Sequence, residues 1–126
     1  VELAIKAREL SYSPYSKFAV GAVVLCKDGS VYKGANIENA SYSLTVCAER
    51  IAIFNAMMAG KTKEDFVALA VVCDTERPGS PCGSCRQVIS ELMPKETRIV
   101  LGNLKREIKV TSIDELLPYS FGKEDL

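Results

Sequence analysis

The chain has 126 residues, 48% hydrophobic and 25% charged, with 16 basic side chains balanced by 16 acidic ones. That length fits a single domain spanning 1–126. The even charge balance lacks the basic excess that a polynucleotide-binding protein carries. No histidine is present, so a metal centre would rest on thiolates and carboxylates, and no imidazole can act as a base. Five cysteines, two of them in a C-x-x-C, occur with no signal-peptide pattern or long apolar run in the sequence given. The expectation is a reducing compartment, the cytoplasm, without membrane insertion.

In chain order, Leu3, Ala4, Ala7 and Leu10 recur at helical spacing and predict an amphipathic helix over the first ten residues. The Ser11–Ser16 stretch, with Pro14, ends it. Phe18 to Cys26 is a nearly continuous apolar run, the pattern of a strand buried on both faces. Asp28-Gly29 signals a tight hairpin, with Val31 to Ala35 returning antiparallel. Residues 36–46 have no clear period and read as a loop. From Cys47 to Ala59 the sequence is helix-forming and apolar on almost every face, which suits the centre of a protein or of an assembly. Gly60 is placed to end that helix, and Lys61 to Asp65 reads as a solvated linker.

Phe66 to Cys73 predicts a second buried strand. Ser80 is expected to cap the next helix, with Pro81 in its first position. Val88, Ile89, Leu92 and Met93 form that helix's apolar face, and Pro94 ends it. Arg98 to Leu101 predicts a third buried strand, and Lys105 to Val110 a half-exposed edge strand. Ser112 starts a short helix, and a mostly polar tail from Pro118 carries Tyr119, Phe121 and Leu126. Strands joined through helices imply parallel neighbours. The expected architecture is a three-layer α/β/α domain with a mixed five-stranded sheet.

Chemistry concentrates in Cys47-Ala48-Glu49 and Pro81-Cys82-Gly83-Ser84-Cys85. Each stretch falls at a predicted helix start, where the partial positive charge lowers a thiol pKa. Three thiolates around one Zn²⁺ leave the fourth tetrahedral position open, as a catalytic site requires. A C-x-x-C alone also fits a redox pair. A closed structural site would need Cys26 or Cys73 as a fourth ligand, but both sit in predicted strands and read as core. Three thiolates with Zn²⁺ sum to a net charge of about −1. Arg50 is the first candidate to offset that charge, and Arg86 and Gln87 are further ones.

These two stretches closely resemble the zinc deaminase signature. Together with Phe18-Ala19-Val20-Gly21-Ala22, Asn36-Ile37-Glu38-Asn39-Ala40-Ser41-Tyr42, Arg50, Arg86-Gln87-Val88 and Glu115-Leu116-Leu117-Pro118 they resemble the small homotetrameric branch of the cytidine deaminases across essentially the whole chain. The resemblance implies hydrolytic deamination of cytidine and 2′-deoxycytidine to the uridines with release of ammonia, a step of pyrimidine salvage. One zinc ion per chain would be held by Cys47, Cys82 and Cys85, with Glu49 as the proton carrier. The Ala48 backbone would contact the base, Phe18 would pack on it, and Asn36 and Glu38 would hold the ribose. Ala40, Tyr42 and Phe121 would reach a neighbouring subunit's site. The alternatives are a deaminase of the same fold acting on another aminopyrimidine, such as blasticidin S, and a non-enzymatic zinc-stabilised module. Asn36-x-Glu38 favours a ribose ligand over the first of these.

Overall fold

The computed structural model describes all residues, Val1–Leu126. Five strands form one mixed sheet: β1 (Val20–Cys26), β2 (Val31–Ala35), β3 (Phe66–Cys73), β4 (Arg98–Asn103) and β5 (Ile108–Thr111), in the order β2-β1-β3-β4-β5. β1 pairs antiparallel with both β2 and β3, β3 runs parallel to β4, and β4 pairs antiparallel with β5. Helix-linked strands are therefore parallel neighbours only at β3–β4. The helix after β2 leads to β3, but β1 lies between those two strands, so the broader expectation of parallel neighbours does not hold.

Four helices cover the sheet: α1 (Glu2–Arg8), α2 (Ala48–Met58), α3 (Gly83–Leu92) and α4 (Ile113–Leu116). α1 packs on one face through Ala4, against Val23 and Val72. The larger core lies on the other face, where Ala52, Ile53 and Ala56 of α2, Ile89 of α3 and Ile113 of α4 meet Val24, Leu69, Val71 and Ile99. The architecture is the three-layer α/β/α arrangement expected from the sequence. No helix is long and apolar enough to cross a membrane.

Several boundaries differ from the sequence expectation for identifiable reasons. α1 is shorter than ten residues, and Leu3 and Leu10 are exposed; only Ala4 and Ala7 are buried. A bulky side chain would not fit this contact, because even a Cβ at Gly21 in β1 would lie 2.1 Å from the Ala4 carbonyl oxygen. β1 begins two residues after Phe18. Over residues 18–20 the Asn36 side chain takes the place of a neighbouring strand: its Nδ2 donates to the Phe18 carbonyl at 2.8 Å, and its Oδ1 accepts from the Val20 N–H at 2.9 Å. Leu25 is exposed, so β1 is not buried throughout on both faces.

α2 buries Ala48, Glu49, Ala52, Ile53 and Ala56 and leaves Phe54, Met57 and Met58 exposed, so its apolar surface is only half covered within this chain. The 61–65 linker is not free: Lys61 pairs with Asp28 at 2.6 Å and Lys63–Asp65 forms a 3-10 turn. Residues 42–44, inside the expected loop, form another.

The start of α3 is the main correction. Ser80 does not cap it and Pro81 is not its first residue; Cys82 is the N-cap, in an extended conformation (φ −67°, ψ 168°). The Arg86 guanidinium binds the Ser80 hydroxyl and the Pro81 carbonyl from the side and keeps both residues out of the helix. β4 extends to Asn103, whose backbone and side chain close the turn over residues 104–107, accepting from the Arg106 and Glu107 N–H groups at 3.0 Å each. β5 therefore starts at Ile108 rather than Lys105. Ser112 caps α4 as expected, accepting from the Glu115 N–H at 3.2 Å.

A Cβ at Gly34 would lie 2.4 Å from both the Ala48 carbonyl oxygen and the Ala52 nitrogen, which is how closely α2 rests on β2. Gly34→Ala is expected to lower unfolding stability in urea by about 1–3 kcal/mol through overpacking; an unchanged midpoint would contradict that packing. Asn36→Ala strips partners from Phe18 and Val20 and is expected to cost about 1–3 kcal/mol in the same measurement.

Candidate metal centre

Two helix starts meet here. Cys47 caps α2, Cys82 caps α3, and Cys85 lies in the first turn of α3. The three Sγ atoms all lie within 4.8 Å of one another, and those of Cys47 and Cys82 are 3.9 Å apart. A tetrahedral zinc with bonds of about 2.3 Å to sulfur places its sulfurs about 3.8 Å apart, so this donor set fits the metal. Neither Cys26 nor Cys73 nor any carboxylate joins the cluster, and both of those cysteines are buried in strands. Three protein donors without a fourth leave a coordination position for another ligand. Cys85 is buried, Cys47 half-buried and Cys82 exposed, so solvent reaches the centre on the Cys82 side.

Hydrogen bonding from the Cys85 thiol, then from Arg50 and Cys82, brings the Cys47 thiol down to about 5. Cys85 is pushed up, first by its bond to Cys47 and then by burial. The Cys47 thiolate thus forms more readily than that of Cys85, and thiolate is the state in which sulfur binds metal. Arg50 Nη2 donates to Cys47 Sγ at 3.4 Å. That bond raises the guanidinium's pKa further, so a full positive charge faces the sulfurs. Its Nε is buried without a partner.

Glu49 is 5% exposed, in the first turn of α2 beside the cluster. Burial pushes its carboxyl up, and the Cys47 thiolate adds to the rise. A carboxyl with weakened acidity accepts and releases a proton at neutral pH more evenly than an exposed one. Ala48, between Cys47 and Glu49, is fully buried.

The other sequence candidates form a second group around the 11–18 segment. Asn36 is buried, and besides holding residues 18–20 its Oδ1 accepts from the Ser11 hydroxyl at 2.5 Å. Glu38 accepts from the Tyr15 and Ser16 N–H groups at 3.1 Å each and from the Ser16 hydroxyl. The Ser16 hydroxyl, then the two N–H groups, holds the Glu38 carboxyl below its ordinary value. Ile37, between them, pairs with Val46 in both directions at 2.9 Å. That bridge places Asn36 and Glu38 alongside the residue preceding Cys47, which is how the two groups adjoin. Phe18, Ala40 and Tyr42 are exposed, with Tyr42 edge-on to Tyr15 at 6.2 Å between ring centroids. Phe121 is also exposed, and Gln87 Nε2 donates to its carbonyl at 2.9 Å. Gln87 thus engages the tail. Ser11 and Ser16 were missed from sequence, where they read only as part of a helix-ending turn. The Ser-rich spacing of 11–16 was the available signal.

The family model of the cytidine and deoxycytidylate deaminase zinc-binding region matches residues 1–101. The cytidine deaminase of Halalkalibacterium halodurans is 56% identical over 126 residues, covering 100% of this chain and 94% of that protein. The cytidine deaminase of Mycobacterium tuberculosis H37Rv is 39% identical over 123 residues, covering 98% of this chain and 87% of that one. A crystal structure of cytidine deaminase from Burkholderia pseudomallei superposes with a TM-score of 0.94 at 49% identity, covering 96% of this chain and 95% of that one. Matching sequence, matching fold and a three-cysteine cluster inside the matched region agree: this chain belongs to the zinc-binding cytidine and deoxycytidylate deaminase family.

Proposed function

We propose that this protein is a cytidine deaminase, converting cytidine and 2′-deoxycytidine with water to the corresponding uridine and ammonia. The observation that carries the reading is a trio of cysteine sulfurs, with no fourth protein donor in the cluster, beside a buried glutamate. Zinc held by Cys47, Cys82 and Cys85 would supply Lewis acidity that makes a water molecule nucleophilic at neutral pH. The chain's own groups do the rest. Glu49 accepts the proton that the attacking water gives up and passes it to N3 of the base as C4 is attacked. It then takes the second proton from the new C4 hydroxyl and delivers it to the amine, so that the C4–N bond breaks, the C4 carbonyl forms and ammonia leaves. Burial suits it to both directions of transfer, because it weakens the preference for the ionised form. Arg50 offsets the charge of the thiolates through Cys47.

Substrate placement rests on the second group. The Ala48 backbone meets the base, Phe18 packs on it, and Asn36 and Glu38 bind the ribose hydroxyl. Asn36 and Glu38 are already braced by Ser11, Tyr15, Ser16 and the 18–20 backbone, which fixes their orientation before a ligand arrives. The protein works as a homotetramer in the cytoplasm, with Ala40, Tyr42 and Phe121 completing a neighbour's site. Supporting this are the exposed Phe54, Met57 and Met58 on α2 and the exposed Tyr42, Leu44 and Phe121, apolar side chains that association would cover.

Loss of cytidine absorbance with stoichiometric ammonia, and little change with cytosine or CMP, is the expected result for zinc-loaded protein. No turnover of cytidine despite one bound zinc per chain would overturn the reading. Glu49→Gln should retain the zinc and lower kcat by about 10²–10⁴-fold; an active variant would remove Glu49 from the proton path. Phe121→Ala should weaken kcat/KM by about 3–10-fold, the scale of one aromatic contact, with zinc content unchanged. Wild-type kinetics in that variant would count against the tail's part in the site.

A further inference from the structure

The three thiolates are not equally braced. Cys85 is buried within α3. Cys47 sits at the start of α2, which rests on the sheet, and receives a bond from Arg50. Cys82 is exposed, makes no side-chain capping bond to its helix, touches only the Cys47 sulfur at 3.9 Å, and follows an irregular loop. Its position depends on whatever holds Ser80 and Pro81. Arg86 holds both. Its Nε donates to the Pro81 carbonyl at 2.9 Å and its Nη2 to the Ser80 hydroxyl at 2.5 Å, while Nη1 donates to the Leu116 carbonyl at 2.7 Å. Its own N–H also closes the first helical bond, onto the Cys82 carbonyl at 2.9 Å. The guanidinium therefore joins three pieces of chain: the loop that delivers Cys82, the helix that carries Cys85, and the end of α4.

We propose that Arg86 is a positioning residue for the metal centre, fixing the Cys82 sulfur by clamping the Ser80–Pro81 loop between α3 and α4. The inference rests on the zinc reading above and assigns Arg86 no contact with substrate. Arginine suits the task because its planar fork presents donors in several fixed directions, whereas a lysine ammonium is a flexible point charge. Outer partners of metal ligands commonly change metal affinity by tens of fold when removed.

The test is the rate of zinc release from the zinc-loaded protein to a metallochromic chelator, well below the unfolding temperature, with urea unfolding of the same samples as the measure of fold. Arg86→Lys keeps the charge and loses the fork; it should release zinc about 10-fold faster. Ser80→Ala removes one of the three acceptors and should release zinc about threefold faster, with an unchanged urea midpoint. An arginine with a purely structural role would lower the urea midpoint without changing zinc release, and that result would overturn the proposal. So would a wild-type release rate in Arg86→Lys, which would mean that charge suffices. Should Arg86→Lys not fold, Ser80→Ala decides: wild-type release there overturns the proposal. A wild-type chain that binds no zinc would refute the metal reading itself, and this inference with it.

Discussion

Three sulfur atoms from two separate helix starts must converge to within 4.8 Å, and the rest of the structure is arranged to permit that. The α2 thiolate is placed by backbone contact: Gly34 lets α2 rest directly on β2, so Cys47 and Glu49 take their positions from the sheet. The α3 thiolates depend on the parallel β3–α3–β4 unit, which brings α3 onto the same face as α2. Both helices present their N-termini to the cluster. Convergence also sets the ionisation, because the Cys47 thiol is lowered by its bonds from Cys85 and Arg50 while Cys85 is pushed up.

Charge is the second constraint. Several thiolates brought together repel one another, and burial worsens it. The structure answers with Arg50 against Cys47 and with solvent access at Cys82. It leaves Glu49 buried and uncompensated by any cation directly on its carboxylate, so the Glu49 carboxyl is pushed up. That separation, arginine for sulfur and isolation for the carboxyl, suits Glu49 to the proposed proton transfer without making it a ligand. It is also absent from the metal cluster on geometric grounds.

The architecture was largely legible in the sequence because its elements are marked by local chemistry. Asp28-Gly29 predicts a turn that needs a positive φ, and Gly29 has φ +86°. The apolar runs at Val20–Cys26 and Phe66–Cys73 are central strands, and Cys47, Cys82 and Cys85 share one site. What failed to show was side chains standing in for backbone. Asn36 acts as a strand partner for residues 18–20, so Phe18 falls outside β1 although its hydropathy resembles the rest of the run. Arg86 reaches back to Ser80 and Pro81 and moves the start of α3 to Gly83, against a local pattern that favours capping by serine with proline next. The Asn36 contacts span 16 to 18 residues and the Arg86–Leu116 bond 30, and the Arg86 bonds to Ser80 and Pro81, though only 6 and 5 residues long, leave no mark in hydropathy or capping pattern. The half-covered α2 has a different origin: its exposed Phe54, Met57 and Met58 carry no information about what meets them.

The chemistry depends on a zinc held by three sulfurs that keeps one position for an exchangeable ligand. X-ray absorption at the zinc edge of the purified protein reads this directly. Three sulfur scatterers at about 2.3 Å and one nitrogen or oxygen scatterer at about 2.0 Å are expected. Four sulfurs would mean that Cys26 or Cys73 closes the shell, and the centre would then be structural rather than catalytic.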